Sequence, residues 1–396
     1  MKQLILLFAL SITKICLGQT IDTLSIQSKV FDEKRDIYIY LPEQYSTQTE
    51  KKYEVVYVFD SQARQYFDLV HSTIQFVNNG IPVIVIGIVS NFSEEKKQNR
   101  NSDFLPKPVY EETTKKYGGY LGNADKFLDF FQNEVVKFID NKYRTFPYRI
   151  GIAHSNGASF LSYCFLKSPE IFNSYLLISP NYEYDKEQFV GEFQKFNPEL
   201  LKDNKFVFMC NSNEDENWAK ARNKIIPLFE TNNFSKKIKF INRDYSQTEN
   251  HGTVFPIGTF YGLKDFFNYK YLTAENVINY NDELESKKLL KLDSDYVNQL
   301  AYTCFWNDKP HEAIKIIQWA ILKFPNESNL FDSQGEFLEK ISDIKGAKKS
   351  YENALKAIES QKSKLDKKTY EEKYSYYRGN LDRLKKCRVG KGESHP

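Results

Sequence analysis

A chain of 396 residues with 41% hydrophobic and 15% aromatic side chains is long and apolar enough to bury more than one core, which excludes a disordered polymer. Its 55 basic and 52 acidic side chains leave a net charge of +3, so nothing global draws it to nucleic acid or to an anionic membrane. A partner has to be read from local features.

The segment Met1–Gly18 carries Lys2, the apolar run Leu4-Ile5-Leu6-Leu7-Phe8-Ala9-Leu10 and then Cys16-Leu17-Gly18 before Gln19. This is the charged, apolar and small-residue order of a cleaved signal peptide, and the run is too short for a membrane span. The expectation is a secreted or periplasmic protein, signal segment 1–18, with no transmembrane span. Thr13-Lys14-Ile15 lacks the small apolar residues that precede a lipid-anchored cysteine. Cys164, Cys210, Cys304 and Cys387 are far apart and in no metal-binding spacing. Cys164 and Cys210 lie in apolar runs and read as small core residues.

Beyond Gln19, Thr23–Lys29 and Lys34–Leu41 alternate as two antiparallel strands joined near Asp32-Glu33-Lys34. Tyr53–Asp60 and Pro82–Ile88 are continuous β-branched and aromatic runs, the pattern of strands buried on both faces, with a helix over Gln65–Asn78 between them. Tyr117-Gly118-Gly119-Tyr120-Leu121-Gly122 has neither a phosphate-loop lysine nor dinucleotide spacing and reads as a loop. A helix over Ala124–Lys142 precedes the next strand. The alternation predicts a doubly wound, mostly parallel α/β sheet with its ligands at the carboxyl ends of the strands.

The segment Tyr148-Arg149-Ile150-Gly151-Ile152-Ala153-His154-Ser155-Asn156-Gly157-Ala158 reads as strand, sharp turn and helix with Ser155 at the tip. A nucleophile elbow needs small residues two before and two after its serine, because larger ones would collide with the adjoining strand and helix. Ala153 and Gly157 fill those places, with alanine where glycine is commonest. Strands follow over Tyr175–Pro180, Lys205–Asn211 and Lys237–Ile241. The acidic cluster Glu214-Asp215-Glu216 comes directly after the second of these, ahead of a helix over Trp218–Thr231, and Glu249–Val254 forms the loop after the last strand.

Near Tyr280 the pattern turns wholly helical. Ala301 and Gly335, Ala313 and Ala347, and Ala320 and Ala354 are pairs with one constant spacing. That spacing matches the period of a tetratricopeptide repeat, and Ile317 and Tyr351 share one bulky position in it. The predicted division is residues 19–272 as an α/β-hydrolase domain, 280–386 as a small all-α tetratricopeptide-like domain, and 387–396 as a flexible tail.

In an α/β-hydrolase the chain order is nucleophile, acid, base. Of five histidines, His71 comes too early, His154 adjoins the serine and points away from its hydroxyl, His311 lies in the repeat and His395 in the tail. His251 remains as base. Glu214 is the first choice for the acid that fixes its tautomer, with Asp215 as the alternative. The backbone N–H of Asn156 and one from Ser61 or Gln62 would form the oxyanion hole. The chemistry requires no metal and no cofactor.

Further segments add to the elbow: Arg35-Asp36-Ile37-Tyr38-Ile39-Tyr40-Leu41-Pro42, Val58-Phe59-Asp60, Arg100-Asn101-Ser102-Asp103-Phe104-Leu105-Pro106, Ala124–Leu128, Lys142–Thr145, Ser179-Pro180 and Asn250-His251. Across Gln27–Asn268 they resemble the Putative esterase family of α/β-hydrolases, which holds ferric-siderophore esterases, esterase D and feruloyl or acetyl-xylan esterases. The resemblance departs at Ala153, at Ala158, where a second glycine is common, and at Ser61, where glycine often follows the strand aspartate. It implies a serine esterase with Ser155 as nucleophile, His251 as base and Glu214 as acid. It implies a small-molecule, glycan or siderophore ester as substrate. A peptide or protein partner on the repeat is the further expectation. The competing readings are a non-catalytic binding protein on an esterase scaffold, and a peptidase or acyltransferase on the same three residues.

Overall fold

The structure, a computed structural model, describes residues 20–389. The signal segment 1–18 lies outside the described residues, as do Cys16, His395, the side chain of Cys387 and the end of the predicted tail. The chain divides into two compact units, one of residues through Ser72 with Pro82–Thr259, the other of Thr73–Ile81 with the chain from Phe260 onward.

The first unit holds an eight-stranded sheet in the order β1-β2-β4-β3-β5-β6-β7-β8. β1 (Thr20–Ser28) and β2 (Glu33–Leu41) form the antiparallel hairpin, and β2 pairs antiparallel with β4 (Ile84–Ile88). β3 (Tyr53–Val58), β5 (Thr145–His154), β6 (Ser174–Ile178), β7 (Lys205–Asn211) and β8 (Ile238–Asp244) continue the sheet in parallel. Every residue of β3, β4, β6 and β7 is buried, as runs without polar alternation require when helices cover both faces. The predicted helix Ala124–Lys142 is continuous but carries one π turn at Phe131–Val135.

β2 carries a buried charge. Arg35 is fully buried, its guanidinium 2.9 Å from Asp103 and 3.7 Å from the Phe31 ring. That ion pair ties β2 to the short helix Arg100–Phe104, whose first two residues bond Asp60 beyond β3 and Asn156 beyond β5. Gly118, Gly119 and Gly122 hold φ of 60°, 81° and 93°. Glycine adopts this left-handed backbone freely, and the segment is the loop the sequence predicts.

The second unit is helical. The helices Ser294–Trp306 and Pro310–Lys323 are followed by Ser328–Lys340 and Ile344–Ser360, so corresponding helices start at the spacing of the alanine pairs. Ala301, Ala313, Ala320, Ala347 and Ala354 are fully buried. Cys164, Cys210 and Cys304 are buried free thiols. Among the described residues no helix is long and apolar enough to cross a membrane, and no cluster of side chains has the make-up of a metal site.

Candidate active site

β5 ends at His154 and the helix Asn156–Lys167 begins two residues later, so the chain must reverse at Ser155. Ser155 does so at φ 57° and ψ −128°, an unfavourable region for a side-chain-bearing residue, while its N–H donates to Ile178 O at 3.0 Å. A Cβ at Gly157 would lie 2.9 Å from Asp60 Oδ2 and 3.3 Å from Ala153 Cβ. Glycine at 157 is thus dictated by space, and it leaves the room that lets alanine occupy 153.

His251 follows β8 in a turn made by Asn250, whose Oδ1 accepts from the N–H groups of Gly252 and Thr253 at 2.9 and 3.1 Å. Asn213 N–H donates to Glu249 O at 2.8 Å, joining that turn to the loop after β7. His251 Nε2 is 3.0 Å from Ser155 Oγ. Its Nδ1 is 3.2 Å from Ser179 Oγ and 3.8 Å from Glu214 Oε1. The first of these three separations is a hydrogen bond, and the last is too long for one.

The two adjacent carboxylates diverge. Glu214 turns inward, 3% exposed, and accepts from Ser212 N–H at 3.0 Å, from Ser212 Oγ at 2.5 Å and from Ser179 Oγ. Burial pushes its carboxyl up, but the contacts from His251, Ser179 and Ser212 outweigh that and bring it down to about 2. Asp215 instead caps the helix Glu216–Glu230, accepting from Asn217 and Trp218 N–H at 3.0 and 3.1 Å. Glu214 thus faces the histidine, and Asp215, the alternative acid, is engaged as a helix cap.

Asn156 opens its helix, so its N–H has no intrahelical acceptor. Ser61 is different and corrects the sequence reading. Its N–H donates to Ile88 O at 3.0 Å and its Oγ to Val58 O at 2.8 Å, and it is fully buried. The pairing of β3 with β4 runs past the strand end, so the Ser61 amide belongs to the sheet. Gln62 is next, with its side chain between Asp60 Oδ1 (2.8 Å) and Ser90 N–H (3.1 Å).

Several contacts around the site escaped the sequence reading. The His154 ring lies 4.5 Å from that of His251, and Trp218 meets the same ring edge-on at 5.1 Å. His154 Nδ1 is bonded to the Tyr66 hydroxyl at 3.1 Å. Burial first, and the neighbouring His251 second, push the His154 imidazole down to about 3, which keeps it neutral. Arg100 forks onto Asp60 at 2.5 and 2.6 Å, and Asp60 holds φ 67° just after β3. Asn101, Asn156, Asn181 and Tyr117 continue as one chain of hydrogen bonds of 2.9, 2.9 and 3.1 Å. Tyr117 also lines a cavity of about 370 Å³ with Glu183, Tyr184, Asp185, Lys186 and Asn217. The segments Val58-Phe59-Asp60, Arg100–Pro106 and Ser179-Pro180 were the sequence signals for this wall, and none of them says how its side chains connect.

A basic nitrogen 3.0 Å from a serine hydroxyl at a strained turn, with an ionised carboxylate behind it, can deprotonate that hydroxyl. The model of the family described as Putative esterase matches residues 28–232. Among solved structures, an IroE-like serine hydrolase from Shewanella oneidensis aligns at a TM-score of 0.57 and 19% identity, over 77% of this chain and 100% of its own. The siderophore hydrolase EstA from Aspergillus nidulans aligns at 0.53 and 18%, over 67% and 99%. An uncharacterised protein from Capnocytophaga ochracea aligns at 0.55 and 14%, over 91% and 100%. No curated protein sequence matches this chain. At these identities the structural likeness speaks for the fold and the family match for the family.

Proposed function

This chain belongs to the Putative esterase family and is a carboxylic ester hydrolase; from that premise we propose that it works through Ser155, His251 and Glu214 by an acyl-enzyme. His251 Nε2 takes the Ser155 proton as Oγ attacks the ester carbonyl, then returns it to the departing alkoxide. Water repeats the sequence to release the acid. The oxyanion sits against the N–H groups of Asn156 and, in place of Ser61, Gln62. Glu214 stabilises the imidazolium. The observation that carries this reading is the 3.0 Å approach of His251 Nε2 to Ser155 Oγ.

As substrate we propose a siderophore-type ester, a reading supported by the siderophore hydrolase among the solved structures of the same fold. We also read Met1–Gly18 as a cleaved signal and residues 280–386 as a tetratricopeptide-like domain able to hold a peptide or protein partner. The regular spacing of helix starts supports the latter. The deciding experiment is fluorophosphonate labelling of the full chain. The unaltered protein takes up the probe and Ser155→Ala loses both labelling and ester hydrolysis; a labelled Ser155→Ala protein removes Ser155 from the mechanism.

A further inference from the structure

Ser179 stands directly after β6, fully buried, with φ 49°. Its N–H donates to Cys210 O at 2.8 Å, and Trp218 Nε1 donates to the carbonyl of the following Pro180 at 2.7 Å. A left-handed backbone at a strand end suits glycine or asparagine, and a serine kept there carries a conformational cost. What the serine adds over glycine is one hydroxyl. That hydroxyl donates to Glu214 Oε1 and lies 3.2 Å from His251 Nδ1.

The protons fit this arrangement in one way. An imidazole that receives a proton at Nε2 must carry its other proton on Nδ1, and that N–H needs an acceptor. Glu214 Oε1, at 3.8 Å, is out of hydrogen-bond reach. Ser179 Oγ has a lone pair for the Nδ1–H, and its single proton goes to the carboxylate. Every donor in the series Ser155 Oγ, His251, Ser179 Oγ, Glu214 then has one acceptor.

On the reading that Ser155, His251 and Glu214 carry the reaction, we propose that Ser179 is a positioning residue that couples His251 to Glu214 through its hydroxyl. When Ser155 Oγ bonds to the acyl carbon, its proton moves to His251 Nε2, and later from Nε2 to the leaving oxygen. The Nδ1 and Ser179 hydroxyl protons stay in place. They orient the ring and pass on the stabilising influence of the carboxylate. The other titratable or charged groups around this series are Arg222, 3.7 Å from Glu214 Oε2, with Asp244 beside it, the buried Cys210 thiol next to Ser179 N–H and Glu214, with Arg243 near it, and the neutral His154 with Tyr66, Asp60 and Arg100 behind it.

Ser179→Gly tests this in the full chain, because glycine adopts φ 49° freely and only the hydroxymethyl group is lost. Turnover of a p-nitrophenyl ester should fall about 100-fold with KM unchanged. The acid limb of the pH profile of kcat/KM should move to lower pH, because the imidazolium has lost its acceptor. The double variant Ser179→Gly/Glu214→Gln should be no slower than the slower single variant, whereas a merely structural serine would give additive losses. Unchanged turnover and pH profile in Ser179→Gly would mean that His251 reaches Glu214 directly, and the bridge is overturned. Additive losses overturn it too. If Ser179→Gly does not fold, the Nδ1–H proton resonance of His251 in the otherwise unaltered protein decides. It should shift on Glu214→Gln and keep its cross-relaxation to Ser179, and a resonance indifferent to Glu214→Gln overturns the bridge. Ser155→Ala, assayed beside these variants, separates the two claims: activity without Ser155 defeats the triad reading, and activity without the Ser179 hydroxyl alone defeats only the bridge.

Discussion

Both units of this chain place non-glycine residues in the left-handed backbone region, but at different kinds of position. In the sheet unit, Asp60, Ser155 and Ser179 hold φ of 67°, 57° and 49° immediately beyond the ends of β3, β5 and β6. In the helical unit, Asp308 and Ser342 occupy equivalent places in the two copies of the repeat and hold 56° and 64° just after the helices Ser294–Trp306 and Ser328–Lys340. After a helix the left-handed residue ends the turn and satisfies the last carbonyls, so its side chain is incidental. After a buried strand it turns the side chain across the sheet end, and there the proposed reaction depends on the residue type. The same backbone device reverses the chain after the repeat's helices and turns polar side chains across the sheet after β3, β5 and β6.

The comparison is broken most forcefully at Ser155. Ser155→Gly should remove ester hydrolysis by several orders of magnitude while raising the unfolding free energy by about 1 kcal/mol through relief of the backbone. Calorimetry alongside an ester assay reads both, and a destabilised Ser155→Gly would show that the turn is not strained. Glu214→Gln and Asp215→Asn come next. The first should lower turnover by at least about 100-fold because its side chain faces His251. The second retains a capping side chain and should leave turnover unchanged, and equal losses would mean that the two carboxylates are not divided between site and cap.

The histidine pair sharpens the contrast through pH. His154 is depressed to about 3 from 6.5. The unfolded chain therefore takes up a proton that the fold refuses, and the stability His154 contributes is whole above pH 6.5 and lost as pH falls toward 3. Glu214, depressed to about 2 from 4.5, contributes stability above pH 4.5 that is lost between there and 2. Urea unfolding between pH 6.5 and 4.5 should thus slope less steeply in His154→Gln. An equal slope would mean that His154 is charged in the fold.

These residues differ in how far the sequence exposes them. Ser155 and His251 were legible because an elbow restricts its neighbours in size and the hydrolase order leaves one histidine in the final loop. The sheet itself was legible from unbroken apolar runs. Glu214 and Asp215 could not be told apart by type or position, since what separates them is the direction of the backbone as it leaves β7. Ser61 was misjudged because composition does not say how far a ladder continues past a strand. His154 does avoid the Ser155 hydroxyl, as its position suggests, yet it packs beside the His251 ring, a contact created by a loop far later in the chain. Ser179 left no signal beyond a Ser-Pro pair.

The smallest effect belongs to the helical unit, where the proposed mechanism uses no side chain and the repeat should tolerate exchange between its copies. Ala301 and Ile317 in the first copy correspond to Gly335 and Tyr351 in the second. A Cβ on Gly335 would lie 2.5 to 2.8 Å from the Tyr351 ring, so the larger ring is accommodated by removing a methyl from the facing helix. The ring has little freedom to retreat, because its hydroxyl donates to Glu339 at 2.5 Å and Glu339 is held by Arg383 at 2.6 and 2.7 Å. Gly335→Ala should therefore destabilise the helical unit by about 1–3 kcal/mol, even though alanine is the better helix former by about 1 kcal/mol. Adding Tyr351→Ile recreates the residue pair of the first copy and should recover most of that loss, with ester hydrolysis unaffected throughout. Far-UV circular dichroism during thermal unfolding measures it. Losses that simply add in the double variant would mean that the two positions are not matched across the repeat, and that the period is a likeness of sequence without a likeness of packing.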